Sequence, residues 1–235
     1  MMGERSDLPL PTSAYTLHVV MVGTQHPGNL GAVCRSLLNH GFNSLRLVQP
    51  VCHPNDIEAR NRAKHAGKIL DSCQIYDSLE DAVQDCSLVV GTSGKREIGN
   101  KTQKRHFIYP WEFSERIYHV DQSIALVFGE EGKGLSIDDL LRCDYLVTLP
   151  TWEGYPITNL SHAVHTLTYE LHRHRVLKRQ GDEQALPDIV PIHRGISPEQ
   201  RNVLRKSIED IAKFLPGGDE RRISFTHSLT RALQR

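Results

Sequence analysis

The sequence predicts an α/β protein built on a parallel sheet, followed by a small α-helical C-terminal extension. Three observations carry this prediction. Apolar runs of strand length alternate with amphipathic helical stretches over the first 91 residues, the βαβαβ rhythm of a sheet joined by crossover helices. The run at 17–22 reads as a buried strand, and that at 87–91 is apolar without alternation, as a strand buried on both faces must be. Beyond residue 180 the rhythm stops, and a stretch containing Pro187 and Pro191 leads into purely helical spacing.

Taken in order, residues 17–22 form the first strand, and Gly23, His26, Pro27 and Gly28 make turn material after it. A helix is expected to begin with Asn29 as its cap. Leu30, Val33, Cys34, Leu37 and Leu38 form its apolar stripe, and Gly41 ends it. The strand at 45–48 is closed by Pro50, a polar helix follows at about 56–66, and a short strand at 74–76. Ser78 with Asp81 reads as a capping box for a helix that buries Leu79, Ala82, Val83 and Cys86. After the strand at 87–91 comes a basic run in which Lys95, Arg96, Lys101, Lys104 and Arg105 stand against the one acid Glu97. Pro110 and Trp111 open the next helix.

Residues 124–128 and 145–149 are two further strands. Between them lie the glycine-punctuated loop 129–134 and a short helix capped at Ser136. From Leu160 the residues Ala163, Val164, Leu167 and Leu171 recur at helical spacing, giving a long helix through about 175. Ser197 as cap and Pro198 at the first position start another helix; Pro216, Gly217 and Gly218 break it, and a last basic helix is expected at 222–233. The expected organisation is an N-terminal arm (1–16), a main domain (17–180), a linker (181–196) and a helical extension (197–235).

The 235 residues carry 28 Lys+Arg and 28 Asp+Glu, so a general nucleic-acid coat is not expected. The distribution is uneven, with a net +5 from residue 173 onward and a net −5 before it. No apolar run has the length of a membrane span, and residues 1–16 lack the apolar core of a secretory leader. Five cysteines without a Cys-x-x-Cys pair point to a reduced, cytoplasmic setting in which they fill space. No metal site is expected, because His162 and His165 lack the four-residue helical spacing of a ligand pair. A dinucleotide-dependent dehydrogenase is disfavoured, since no Gly-x-Gly-x-x-Gly follows the first strand.

Two strand ends meet two irregular loops within 124–172, and crevices at the carboxyl ends of parallel strands are where such sheets bind ligands. A helix starting at Asn29 offers free N–H groups and a positive dipole end to an anion, with Arg35 on the same helix. From these residues alone, a capped helix with a surface arginine is an equally good reading. Glu130, Glu131, Asp138 and Asp139 raise the idea of paired carboxylates for acid–base work, although the two aspartates also suit the first turn of a helix capped at Ser136. Tyr109 and Trp111, beside the basic run, could stack on splayed bases.

Three strings together resemble the motifs of the SPOUT-class RNA ribose 2′-O-methyltransferases. They are Pro27, Gly28, Asn29, Gly31 and Arg35; then Phe128 to Leu135; then Tyr155 to Ala163, the last in a form similar to archaeal members of the TrmJ-type branch. The resemblance implies a sheet whose C-terminal part is threaded into a trefoil knot. It implies S-adenosyl-L-methionine as cofactor, lined by Thr92, Ser93, Gly94, Gly129, Leu149, Pro156, Ile157 and Thr158. It also implies Arg35 and Asn29 as catalytic residues, Lys95, Arg96, Lys101, Lys104 and Arg105 on RNA, a homodimer, and tRNA nucleotide 32 as substrate. Two departures stand out: bacterial members often carry arginine where Glu130 stands and serines where Pro156 and Ile157 stand. Alternatives are an enzyme of this class for ribosomal RNA or the tRNA wobble nucleotide, and a noncatalytic RNA-binding protein with the same fold.

Overall fold

A computed structural model describes residues 8–94, 107–179 and 197–233, and the chain divides into two compact units, Met1–Gln184 and Ala185–Arg235. In the first unit, seven strands form one sheet. They are β1 (Thr16–Val22), β2 (Ser44–Val48), β3 (Gln74–Tyr76), β4 (Leu88–Thr92), β5 (Phe107–Ile108), β6 (Ser123–Phe128) and β7 (Tyr145–Val147). Every pairing is parallel, in the order β3-β2-β1-β6-β4-β7-β5. The chain winds outward from β1 through β2 to β3, then crosses to β4 on the far side, and β6 later fills the gap between β1 and β4. That reversal of winding opens a crevice at the carboxyl ends of β1, β6 and β4.

Side chains alternate between the two faces of the sheet. Val19 and Met21 of β1 join Ile124, Leu126 and Phe128 of β6 in the larger core, covered by α1 (Pro27–Asn39) and α7 (Leu160–Lys178). Val20, Ala125 and Val127 join Val48, Leu79, Ala82 and Leu135 on the opposite face. The non-alternating apolar runs read from the sequence therefore correspond to strands buried on both sides.

The second face holds one buried cation. Arg46 of β2, its side chain 6% exposed, donates through Nη1 to the carbonyl of Ala82 at 2.6 Å and binds both carboxylate oxygens of Asp85, at 2.5 and 2.7 Å. These bonds hold the Asp85 carboxyl down at about 2, below its ordinary 3.8. Because the folded value is the lower one, the pair's contribution is intact above the unfolded value of about 4 and is lost as the pH falls through the folded value. Asp85→Asn should accordingly flatten the acid dependence of stability between about pH 5 and about pH 2, read as urea midpoints across that range.

Several elements differ from expectation. The first helix begins at Pro27 with His26 as N-cap, three residues before the expected cap Asn29; proline at the first helical position needs no N–H partner, and Asn29 falls in the first turn. The polar stretch near 56–66 divides into α2 (Ile57–Ala63), a 3₁₀ turn (Lys64–Ala66) and α3 (Gly67–Ser72). Strand β5 has only two residues, too few for a periodicity, and pairs with β7 at the sheet edge. The capped helices behave as read: Ser78 caps α4 (Leu79–Val83), Ser136 caps α6 (Ile137–Leu141), and Pro110 opens α5 (Pro110–Ile117). All five cysteines are free thiols, with Cys34 and Cys52 buried. No helix among the described residues is long and apolar enough to cross a membrane.

The second unit contains α8 (Pro198–Lys213), capped by Ser197, and α9 (Asp219–Leu233), which starts three residues before the expected 222. Of the apolar positions on α8, Ile208 and Ala212 are buried, whereas Val203 and Ile211, and Phe214 at its C-cap, stay exposed. The expected linker 181–196 lies outside the described residues.

Candidate active site

The N-termini of α1 and α7 meet at the crevice. Asn159 caps α7, its Oδ1 accepting from the amide of Ser161 at 2.9 Å and from the Ser161 hydroxyl at 2.7 Å. Its amide nitrogen donates to Oδ1 of Asn29 at 3.3 Å. Asn29 in turn donates through Nδ2 to Oε1 of Glu131 at 3.1 Å. The Glu131 carboxylate also accepts the main-chain N–H of Gln25 at 2.9 Å and of His26 at 3.4 Å. Asn29 is thereby fixed at both ends of its amide, between a cap residue and a carboxylate.

Glu131 changes the expected electrostatics. Burial alone pushes its carboxyl up, but the hydrogen bonds from Gln25, Asn29 and His26 outweigh that and hold it below the usual range. The anion expected at the start of α1 is thus supplied by the protein itself, and the amides of Gln25 and His26 are engaged rather than free. A carboxylate held in its charged form by three donors is a poor proton acceptor, so the idea of a Glu130–Glu131 acid–base pair fails on these contacts. Glu130 turns the other way, accepting from the Gln25 side-chain amide and from Lys133 Nζ at 2.9 Å. Glu131→Gln should cost about 1–2 kcal/mol of stability through its weakened charge-assisted bonds, measurable by urea denaturation.

The loop that delivers Glu131 depends on a close backbone approach. The amide of Gly134 donates to the carbonyl of Glu130 at 2.8 Å, closing the loop on itself. A Cβ on Gly129 would stand 2.1 Å from the carbonyl carbon of Gly134 and from the nitrogen of Leu135. Only glycine fits at position 129.

The residues expected around a cofactor gather on the neighbouring strand ends. Thr92, at the end of β4, donates its hydroxyl to the carbonyl of Val127 at 3.0 Å, and the Ser93 amide donates to the carbonyl of Val147 at 3.2 Å. These bonds draw the ends of β4, β6 and β7 into one rim. A Cβ on Gly94 would lie 3.1 Å from Cδ1 of Ile157, so Gly94 and the Pro156–Ile157 corner face each other directly. Thr151 closes the intervening loop by donating to the carbonyl of Pro156 at 2.8 Å. Gly129 follows β6, Leu149 follows β7 and packs on the larger core, and Thr158 lies one residue before the Asn159 cap. The buried Thr148 hydroxyl, at the end of β7, has no hydrogen-bond partner among the described residues. The three strand ends drawn together, with the apolar Ile157 at their edge, suit a ligand that combines a base, a sugar and an apolar body.

Arg35 lies on the first helix, as expected. It is exposed in the third turn of α1 and makes no hydrogen bond or ion pair to any described residue. Six residues separate it from Asn29, about 9 Å along the axis and well round the helix, so the two do not converge within one chain. Lys95, Arg96, Lys101, Lys104 and Arg105 lie outside the described residues. Tyr109 and Trp111 stack on each other, ring centroids 4.7 Å apart and 15° from parallel. Among the described residues, no group of three or more His, Cys, Asp or Glu side chains could hold a metal ion.

Comparison with known proteins gives matches over this same region. The family model described as the SpoU rRNA Methylase family matches residues 16–169. A tRNA (cytidine-2′-O-)-methyltransferase TrmJ of Methanocaldococcus jannaschii is 39% identical over 160 residues, 68% of this chain and 69% of that protein. The tRNA (cytidine/uridine/adenosine-2′-O-)-methyltransferase TrmJ of Pseudomonas aeruginosa is 37% identical over 165 residues, and the match spans 60% of its length. Among solved structures, a probable methylase family protein from Haemophilus influenzae superposes with a TM-score of 0.66 at 25% identity, covering 94% of this chain and 90% of that one.

Proposed function

The chain belongs to the SpoU rRNA Methylase family, and on that premise we propose that it is an S-adenosylmethionine-dependent tRNA 2′-O-methyltransferase acting on the ribose of cytidine at nucleotide 32 of the anticodon loop. The observation that carries this reading is the convergence of the expected cofactor residues on the rim of β4, β6 and β7 with the Asn29–Asn159–Glu131 junction beside it. Pro156 and Ile157 fit the reading where family members have serines, because the Pro156 carbonyl that accepts from Thr151 and the Ile157 side chain against Gly94 shape the rim without a hydroxyl. The trefoil knot belongs to the same proposal. A late strand, β7, inserted between the earlier β4 and β5, is the topology a threaded C-terminal segment needs.

The bound cofactor supplies an electrophilic methyl group on a sulfonium. The chain's own residues supply position. Asn29, held at both ends, presents a fixed amide at the mouth of the crevice, and Glu131 keeps the amides before α1 from competing for substrate. Arg35 brings a permanent cation that can hold a phosphate of the RNA and stabilise the alkoxide as the ribose hydroxyl gives its proton to solvent water. Because Arg35 and Asn29 do not converge in one chain, the active form is a homodimer in which Arg35 faces the cofactor rim of the second copy. No metal takes part in this reading, and the substrate places the protein in the cytoplasm.

The test is transfer of labelled methyl groups from S-adenosylmethionine to unmodified bulk tRNA, with the product nucleotide mapped. Label in the ribose of cytidine 32 is expected. Label in nucleotide 34, or in ribosomal RNA alone, would replace the substrate and keep the chemistry; cofactor binding without transfer to any RNA would leave a noncatalytic binder.

A further inference from the structure

The loop after β7 carries two aromatic side chains that the reaction so far does not use. Trp152 and Tyr155 are each 79% exposed. The loop holding them is fixed at three points: Thr151 bonds the carbonyl of Pro156 at 2.8 Å, the amide of Tyr155 bonds the carbonyl of Trp152 at 3.0 Å, and the amide of Thr151 bonds the carbonyl of Leu149 at 2.9 Å. The indole of Trp152 folds over Gly154 so closely that a Cβ there would fall 2.4 Å from its Cη2. One face of the ring is thus backed by the turn, and the other is left to solvent. Two large aromatic rings exposed on one constrained loop offer an apolar surface that a ligand can cover.

We propose that this loop is a base-stacking surface for the RNA substrate, with Trp152 and Tyr155 as its aromatic faces. The inference rests on the tRNA methyltransferase reading and deepens it. Two features favour RNA as the occupant. The loop runs directly from Leu149 into Pro156, Ile157 and Thr158, so its rings stand a few residues from the rim where the ribose must be held. A nucleotide whose 2′-hydroxyl enters such a rim must leave its stacked neighbours, and an unstacked base gains most from an aromatic face. Each ring also carries a polar N–H or O–H, which can stay hydrated at the edge of a stacked base.

The chain has two tryptophans, so in Trp111→Phe protein the indole of Trp152 is the sole reporter. Unmodified tRNA is expected to quench its fluorescence on binding. Trp152→Ala and Tyr155→Ala should each weaken tRNA affinity by about tenfold, the scale of one lost base–aromatic stack, with cofactor affinity and oligomeric state unchanged. Trp152→Phe should keep most of the affinity. Full tRNA affinity in both alanine variants, binding of tRNA without quenching, or conversion of either variant to a different oligomeric state would each overturn the proposal, the last assigning the loop to a second copy. Methyl transfer is scored separately. Quenching with no transfer would leave the stacking surface standing and remove the enzymatic reading; no tRNA binding by the wild type would remove both.

Discussion

Arg35→Ala is expected to lower methyl transfer to tRNA by about 100- to 1000-fold, the usual scale for losing one charge-stabilising donor at a reacting oxygen. Cofactor affinity and melting temperature should stay at wild-type values, because the side chain is exposed and bonds to no described residue. That separation makes the experiment informative. A structural arginine would lower stability along with activity, whereas a cation held ready for substrate lowers activity alone. Arg35→Lys is the companion variant: it keeps the charge but loses the planar fork that grips two phosphate oxygens, so partial recovery is expected. Single-turnover rates with saturating tRNA, beside isothermal titration of S-adenosylmethionine, give both quantities. Unaltered turnover in Arg35→Ala would remove the residue from the mechanism. A mixture of Arg35→Ala protein with a second protein inactivated at the cofactor rim would regain activity only if the arginine acts across a dimer.

Gly129→Ala is expected to have the second large effect, of the opposite kind. The added Cβ would meet main-chain atoms of Gly134 and Leu135, which have no rotamer to change, so the loop must open. Opening it withdraws Glu131 from the start of α1 and distorts the rim beside β4. A loss of about 2–3 kcal/mol of stability is expected, in the range of core overpacking, together with loss of measurable cofactor binding. Gly132→Ala in the same loop is the control. Its positive φ of 83° carries strain for alanine, yet nothing lies within 4 Å of the added carbon, so a cost of about 1 kcal/mol with binding retained is expected. Thermal unfolding and calorimetric titration of the two variants side by side distinguish a steric requirement from a conformational one.

The sequence carried the architecture further than it carried the site. Non-alternating apolar runs such as Val19, Val20 and Met21 report burial on both faces, and helix caps such as Ser78, Ser136 and Ser197 are local signals that survive folding unchanged. Strand β5 was invisible because two residues have no period, and its place beside β7 is set entirely by tertiary pairing. At the site, the three motif strings marked the right loops, but not what the loops do to one another. Glu131 lies more than a hundred residues from Gln25, His26 and Asn29, and no local pattern announces that its carboxylate will terminate α1. Asn29, which reads from the sequence as the helix cap, falls instead in the first turn, so its side chain takes partners from elsewhere in the chain. Trp152 escapes a sequence reading, and Tyr155 stands out only as the first residue of the third motif string, because exposure, unlike helical spacing, leaves no mark in the order of residues.

The late insertion of β6 governs how the protein can be made. Strand β1 pairs on one side with β6, so Thr16 waits for Ser123, more than a hundred residues downstream, and β4 waits for the same strand. On a ribosome, the first ninety-odd residues can assemble β1, β2 and β3 with their helices, yet two strand edges at the middle of the eventual sheet stay open until residue 128 has emerged. Such long-range parallel pairing folds slowly and exposes edges that recruit other strands. Chains truncated before residue 123 should therefore aggregate, and full-length protein should refold in a slow phase whose amplitude follows the docking of β6.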